Sequence, residues 1–113
     1  MPPEWIVVAI RKAMEKQRLW IEALKILCAY YEIPLVRTIV DASKVPKGAV
    51  ACYYHSAPPT MYTKEANVNS WVIFHEFGHH LAAQRKLPLS GDAGQAVADA
   101  FADEMRRLYQ GSR

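Results

Sequence analysis

A chain of 113 residues has room for one hydrophobic core, so a second domain of useful size is excluded and residues 1–113 read as a single domain. Hydrophobic residues make up 51% of the chain, about a quarter of it being Leu, Ile, Val or Phe, which excludes disorder. Fourteen Lys and Arg against eleven Asp and Glu give a net charge of +3, but the signs are interleaved without a basic stripe, so no nucleic-acid partner is expected.

The longest apolar run, Trp5 to Ile10, is too short to span a bilayer. Arg11 and Lys12 follow it with no small-residue cleavage site, so the expected setting is cytoplasmic, with no membrane partner. From Pro3 to about Tyr31 there is no glycine and no internal proline, and Pro3 suits a first helical turn. The stretch reads as one long helix or two, bent near Gln17, where the polar run Arg11–Arg18 gives way to dense apolar positions from Leu19 to Tyr31. After Pro34, the β-branched run Leu35–Val40 reads as a strand. Pro46-Lys47-Gly48 turns the chain into a second strand, Ala49–His55, and Pro58-Pro59 separates this from a short third, Thr60–Thr63. The three are expected to form a small, mainly antiparallel sheet.

Helical character returns at about Asn67, with Asn67, Asn69 and Ser70 as candidate N-caps, and Pro88 limits this helix to about Lys86. Leu87–Gly91 is a tight connection. Asp92 is suited to cap the last helix, with Gln95 three residues on, and Val97, Phe101, Met105 and Leu108 form its apolar stripe up to a fraying end at Gly111. Strands followed by helices indicate an α+β domain. Cys28 and Cys52 lie in apolar contexts without CxxC spacing and read as buried thiols, with a disulfide between them left open.

The chemistry-bearing segment is His75-Glu76-Phe77-Gly78-His79, an HExxH sequence. Helical residues four apart share a face, so His75 and His79 can offer two imidazole nitrogens to one Zn²⁺. Glu76, rotated by about 100° from His75, can reach a metal-activated water as general base rather than bind the ion. The pattern arises by chance in roughly a few per thousand chains of this length. Its helix, moreover, is apolar on two flanks: Val68, Trp71, Val72 and Ala82 on the histidine side, Phe74, Phe77 and Leu81 behind. Burying two imidazoles and a carboxylate there is costly without a compensating partner, and a cation supplies one.

A catalytic zinc normally has three protein ligands, and a third histidine in an extended motif is excluded because Ala82 and Arg85 occupy the required positions. The remaining source is the last helix, where Gln95 and Asp99 stand one turn apart opposite Val97 and Phe101, with Asp103 and Glu104 beyond them. The competing reading leaves both solvated, with Gln95 used in the cap. Ala96, Ala98, Ala100 and Ala102 are small enough to let the two helices approach.

On the HExxH helix, the preceding strands and Ala98-Asp99-Ala100-Phe101-Ala102, the chain resembles the zinc peptidases of the ImmA/IrrE type within the gluzincins, and the very small archaeal minigluzincins, over roughly Leu24 to Met105. The resemblance implies a minimal zincin-like domain, with N-terminal helix or helices before the sheet and a zinc-dependent peptidase activity on a peptide or protein substrate. It also implies a glutamate as third ligand where this chain has Gln95, a neutral and weaker donor. For Asp99 it implies a bond to a ligand histidine, and with Gln95 in the cap Asp99 is the rival ligand.

A substrate strand would add to an exposed sheet edge, for which Ala49–His55 and Thr60–Thr63 are candidates. Tyr53, Tyr54, His55, Tyr62 and Tyr109 are available for oxyanion stabilisation without distinction among them, while His80 is expected to point away from the metal. So short a domain covers little of a substrate groove, leaving room for self-association. The alternative function is a metal-stabilised, catalytically weak or inactive peptidase-like domain acting as a binding or regulatory module, for which Gln95 is the main argument.

Overall fold

A computed structural model describes residues 2–17, 20–55, 58–65, 69–85 and 91–111, with the backbone alone at 13–17 and 91–93. The fold is α+β. The N-terminal stretch forms two helices, α1 (Glu4–Gln17) and α2 (Trp20–Tyr31), and the first turn closes on Pro3, whose carbonyl accepts from the Ile6 and Val7 N–H groups. Helix α2 ends in a Schellman arrangement: Ile33 N–H donates to Cys28 C=O (3.0 Å) and Glu32 N–H to Ala29 C=O (3.2 Å). Glu32 takes the left-handed conformation (φ 56°) in which glycine is usual.

Three four-residue strands follow, β1 (Arg37–Val40), β2 (Ala51–Tyr54) and β3 (Thr60–Thr63), with a 3₁₀ turn at Ala42–Lys44 capped by Asp41. Their order is β1-β3-β2, β3 pairing parallel with β1 and antiparallel with β2. The expectation of a mainly antiparallel sheet is thus corrected to a mixed one. The ten residues between β1 and β2 carry the chain past one strand position, and β3 returns into the gap. This long connection is tightened by a Pro46–Ala49 turn with Gly48 at φ 87°. Because β3 is central, Thr60–Thr63 offers no free edge; the outer strands are β1 and β2.

Helix α3 (Ser70–Gln84) starts where the Asn69 side chain accepts from Val72 N–H (3.0 Å), choosing Asn69 over Ser70 as cap; Asn67, Lys86 and most of Leu87–Gly91 lie outside the described residues. Helix α4 (Gly91–Gly111) begins one residue before Asp92, so Asp92 lies in its first turn rather than at the cap. The stripe of α4 holds at Phe101, Met105 and Leu108, the last packed against the core, and departs from expectation at Val97. Ala98, Phe101, Ala102 and Met105 are buried, whereas Val97 is 42% exposed and Ala96 and Ala100 face outward.

The core joins Val7 and Ile10 of α1, Leu24 and Leu27 of α2, Met61 of β3, Phe74 and Phe77 of α3 and Met105 of α4, all fully buried. Each contributes about 1.5–3 kcal/mol of apolar burial. Phe77 stands between Tyr31 (ring centroids 5.9 Å) and Phe101 (5.5 Å), and the Arg11 guanidinium lies 4.4 Å over the Tyr109 ring, fastening α1 to α4. Both cysteines are free thiols, Cys28 buried and Cys52 half-buried, so the disulfide left open by the sequence is absent. Among the described residues no helix is long and apolar enough to cross a membrane.

Candidate metal and hydrolytic site

Helix α3 is buried along most of its length, and His75 and His79 leave it one turn apart with ring centroids 4.9 Å apart and planes at 84°. Glu76 is 7% exposed, and burial alone pushes its carboxyl up to about 7. Its nearest basic neighbour is His75 Nε2, at 3.9 Å from Glu76 Oε1. His79 is held below the ordinary histidine range, first by burial and then by the neighbouring His75, against smaller opposing effects of Gln95 and Asp99. The neutral imidazole is the form a metal requires.

Helices α3 and α4 run antiparallel and face one another through three polar rungs, each one turn from the next. Trp71 Nε1–H donates to Asp103 Oδ1 at 2.9 Å. His75 Nδ1 stands 2.9 Å from Asp99 Oδ1, at contact distance for a charged pair but without the alignment of a full hydrogen bond. Gln95 stands across from His79, the two side chains sharing one cavity wall. Between them, Gly78 lets the helices touch: a β-carbon there would lie 3.0 Å from Ala98 Cα. Of the four small residues expected to permit this approach, Ala98 and Ala102 do so.

Gln95 and Asp99 are both exposed, as the solvated reading expects, and each also faces a histidine of α3. Gln95 lines the cavity beside His79, the cap behind Asp92 lying outside the described side chains, and Asp99 sits on the Nδ1 side of His75, leaving Nε2 on the Glu76 side. Asp103 is occupied by the indole, and Glu104 pairs with Arg107 on the surface. Among the described residues no group of three or more His, Cys, Asp and Glu converges as a metal site.

A cavity of about 350 Å³ opens beside the pair, walled by Glu76, His79 and Gln95 on the helical side and by Pro46, Ala49, Ala51, Cys52 and Tyr53 on the other. That second wall is a strand edge. Lys64 N–H donates to Val50 C=O (3.0 Å), so the antiparallel ladder directs the main-chain groups of Cys52 and Tyr54 to β3 and those of Ala51 and Tyr53 outward.

The aromatic candidates are distributed otherwise. Tyr54 and Tyr62 stack edge to face on the far side of the sheet, Tyr109 packs against Phe74, and His55 is exposed beyond β2. Tyr53 lines the cavity, but its hydroxyl is 2.8 Å from His80 Nδ1. His80 Nε2 is 2.7 Å from the Pro34 carbonyl, which can only accept; Nε2 therefore carries the proton, and Tyr53 donates to Nδ1. His80 is fully buried and points away from the pair, as its angular offset from His79 implies. Cys52 joins the cavity wall without having been expected there, and Trp71, expected on the histidine side of the helix, stacks directly on His75. For Trp71 the available signal was its spacing, one turn before His75.

The chain matches no family model, no curated protein and no solved structure.

Proposed function

We propose that this protein is a zinc-dependent peptidase with a minimal zincin-like fold, related in design to the gluzincins, that hydrolyses peptide bonds in a peptide or protein substrate. The observation carrying this reading is the group formed by His75, His79 and Glu76 on one buried helix, beside a cavity bordered by a free strand edge. The donor chemistry fits zinc: burial holds His79 below the ordinary histidine range, the Nδ1 of His75 is buried against Asp99, and its Nε2 is left for an ion. His75, His79 and Gln95 would hold the ion, and Asp99 would fix the His75 tautomer. When bound, zinc supplies Lewis acidity toward the scissile carbonyl and lowers the pKa of water.

The remaining work belongs to the chain. The outward main-chain groups of Ala51 and Tyr53 hold an extended substrate by strand addition. Glu76, with its carboxyl near 7, is balanced between the two halves of proton transfer: it removes a proton from the attacking water and delivers one to the departing amine. The free thiols of Cys28 and Cys52 suit a reducing compartment, in keeping with a cytoplasmic setting.

A second reading, a metal-stabilised domain without catalysis, draws on the neutral amide of Gln95, no group of three or more His, Cys, Asp and Glu converging among the described residues. One experiment separates the two. Purified protein should take up stoichiometric zinc and cleave unstructured peptides, and Glu76→Ala should keep the zinc and lose cleavage. Zinc uptake without cleavage in either protein favours the module, and undiminished cleavage by Glu76→Ala removes the proposed mechanism.

A further inference from the structure

The Trp71–Asp103 rung between α3 and α4 contains no residue of the proposed hydrolytic group, yet it bears directly on one. The Trp71 indole is stacked on the His75 imidazole, with centroids 4.9 Å apart and planes within 22° of parallel. The opposite constraint on the imidazole is the His79 ring, which meets it edge-on at 84°. An imidazole turns easily about its Cβ–Cγ bond, since that torsion is broad and roughly two-fold. The Asp99 contact at Nδ1 is imperfectly aligned and leaves much of this freedom. A flat indole against the ring face removes it, provided that the indole is itself fixed. Trp71 is only half-buried, and its N–H, a donor with a single direction, is tied at 2.9 Å to Asp103, one turn beyond Asp99 on α4.

We propose that Trp71 and Asp103 are positioning residues for His75: Asp103 anchors the indole, and the stacked indole sets the plane of the imidazole so that Nε2 stays directed toward Glu76. The inference rests on the peptidase reading, because it gives His75 a ligand's task. It assigns Asp103 a function other than metal binding, and it makes the α3–α4 register part of the site. Trp71 becomes a reporter of the ion as well, since a cation at His75 lies next to its ring. Trp5 and Trp20 belong to other helices.

The test uses the full chain and zinc alone, with affinity measured by competition against a chromophoric chelator and tryptophan emission followed in the same titration. In the wild type, emission should change as zinc binds, and Trp71→Phe should abolish that change. Trp71→Ala and Asp103→Leu should weaken zinc binding by roughly 10–100-fold, as loss of a ligand-orienting partner does. Asp103→Asn keeps an oxygen that can accept from the indole and should restore binding close to wild type, which a merely electrostatic role for Asp103 would not allow. Should Trp71→Ala fail to fold, Asp103→Leu, on an exposed helical position, carries the test. Wild-type affinity in both Trp71→Ala and Asp103→Leu overturns the proposal alone. A wild-type chain that binds no zinc overturns the peptidase reading and this inference with it.

Discussion

Gly78 of α3 and Ala98 of α4 meet with so little space that a β-carbon at position 78 would stand 3.0 Å from the Ala98 Cα and 3.4 Å from its carbonyl oxygen. The obstacle is backbone, which cannot rotate away. Alanine in a helix interior is ordinarily favoured over glycine by about 1 kcal/mol, yet Gly78→Ala should destabilise by about 1–3 kcal/mol because the helices must separate. Denaturant unfolding checks the sign, and a stabilised variant would contradict the close approach.

Glu76 makes stability depend on pH in a sense opposite to most carboxylates. Its folded pKa is raised from 4.5 to about 7, so between these values the folded chain holds a proton that the unfolded chain has released. Stability from this group is complete below the unfolded value and is lost as pH rises through the folded one, by about 3 kcal/mol in all. His79 and His80, both depressed by burial, act in reverse and remove stability on acidification. Comparing metal-free wild type with Glu76→Gln isolates the carboxyl. The variant should gain relative stability from pH 5 to pH 8, and a difference that is flat with pH would remove the raised pKa.

Glu32 holds a left-handed conformation that costs a residue with a β-carbon about 1–2 kcal/mol. Glu32→Gly relieves this at the expense of greater freedom in the unfolded chain, leaving an expected gain of about 0.5–1 kcal/mol. The melting temperature should rise; a fall would mean that the Glu32 side chain contributes more than its conformation costs.

Tyr53→Phe deletes the donor to His80 Nδ1, and the buried acceptor left behind should cost about 1–3 kcal/mol. Tyr54 is the control: its hydroxyl bonds the Lys44 carbonyl on the exposed side, and Tyr54→Phe should stay within about 0.5 kcal/mol. Equal effects in the two unfolding curves would show that the Tyr53–His80 bond carries no special weight.

The helices and the chemistry along α3 were legible in the chain because both rest on local geometry. Pro3 and Asn69 mark helix starts, and one helical turn aligns His75 with His79 whatever surrounds them. The divergence of His80 follows from the same rotation. The strands, too, were legible as β-branched and aromatic runs, with Thr60–Thr63 matched at both ends.

What lay beyond the sequence was how segments distant along the chain meet. Strand order depends on how far the 41–50 connection reaches, and a parallel β1–β3 pair leaves no local mark. Whether Gln95 faces His79, whether Asp99 touches His75, and whether Val97 joins the buried face of α4 all depend on the sliding and rotation of α4 against α3. That register is constrained where their backbones nearly touch, at Gly78 on Ala98. Propensity acts within a segment, whereas close packing between segments is a property of the assembled core, and only the folded chain contains it.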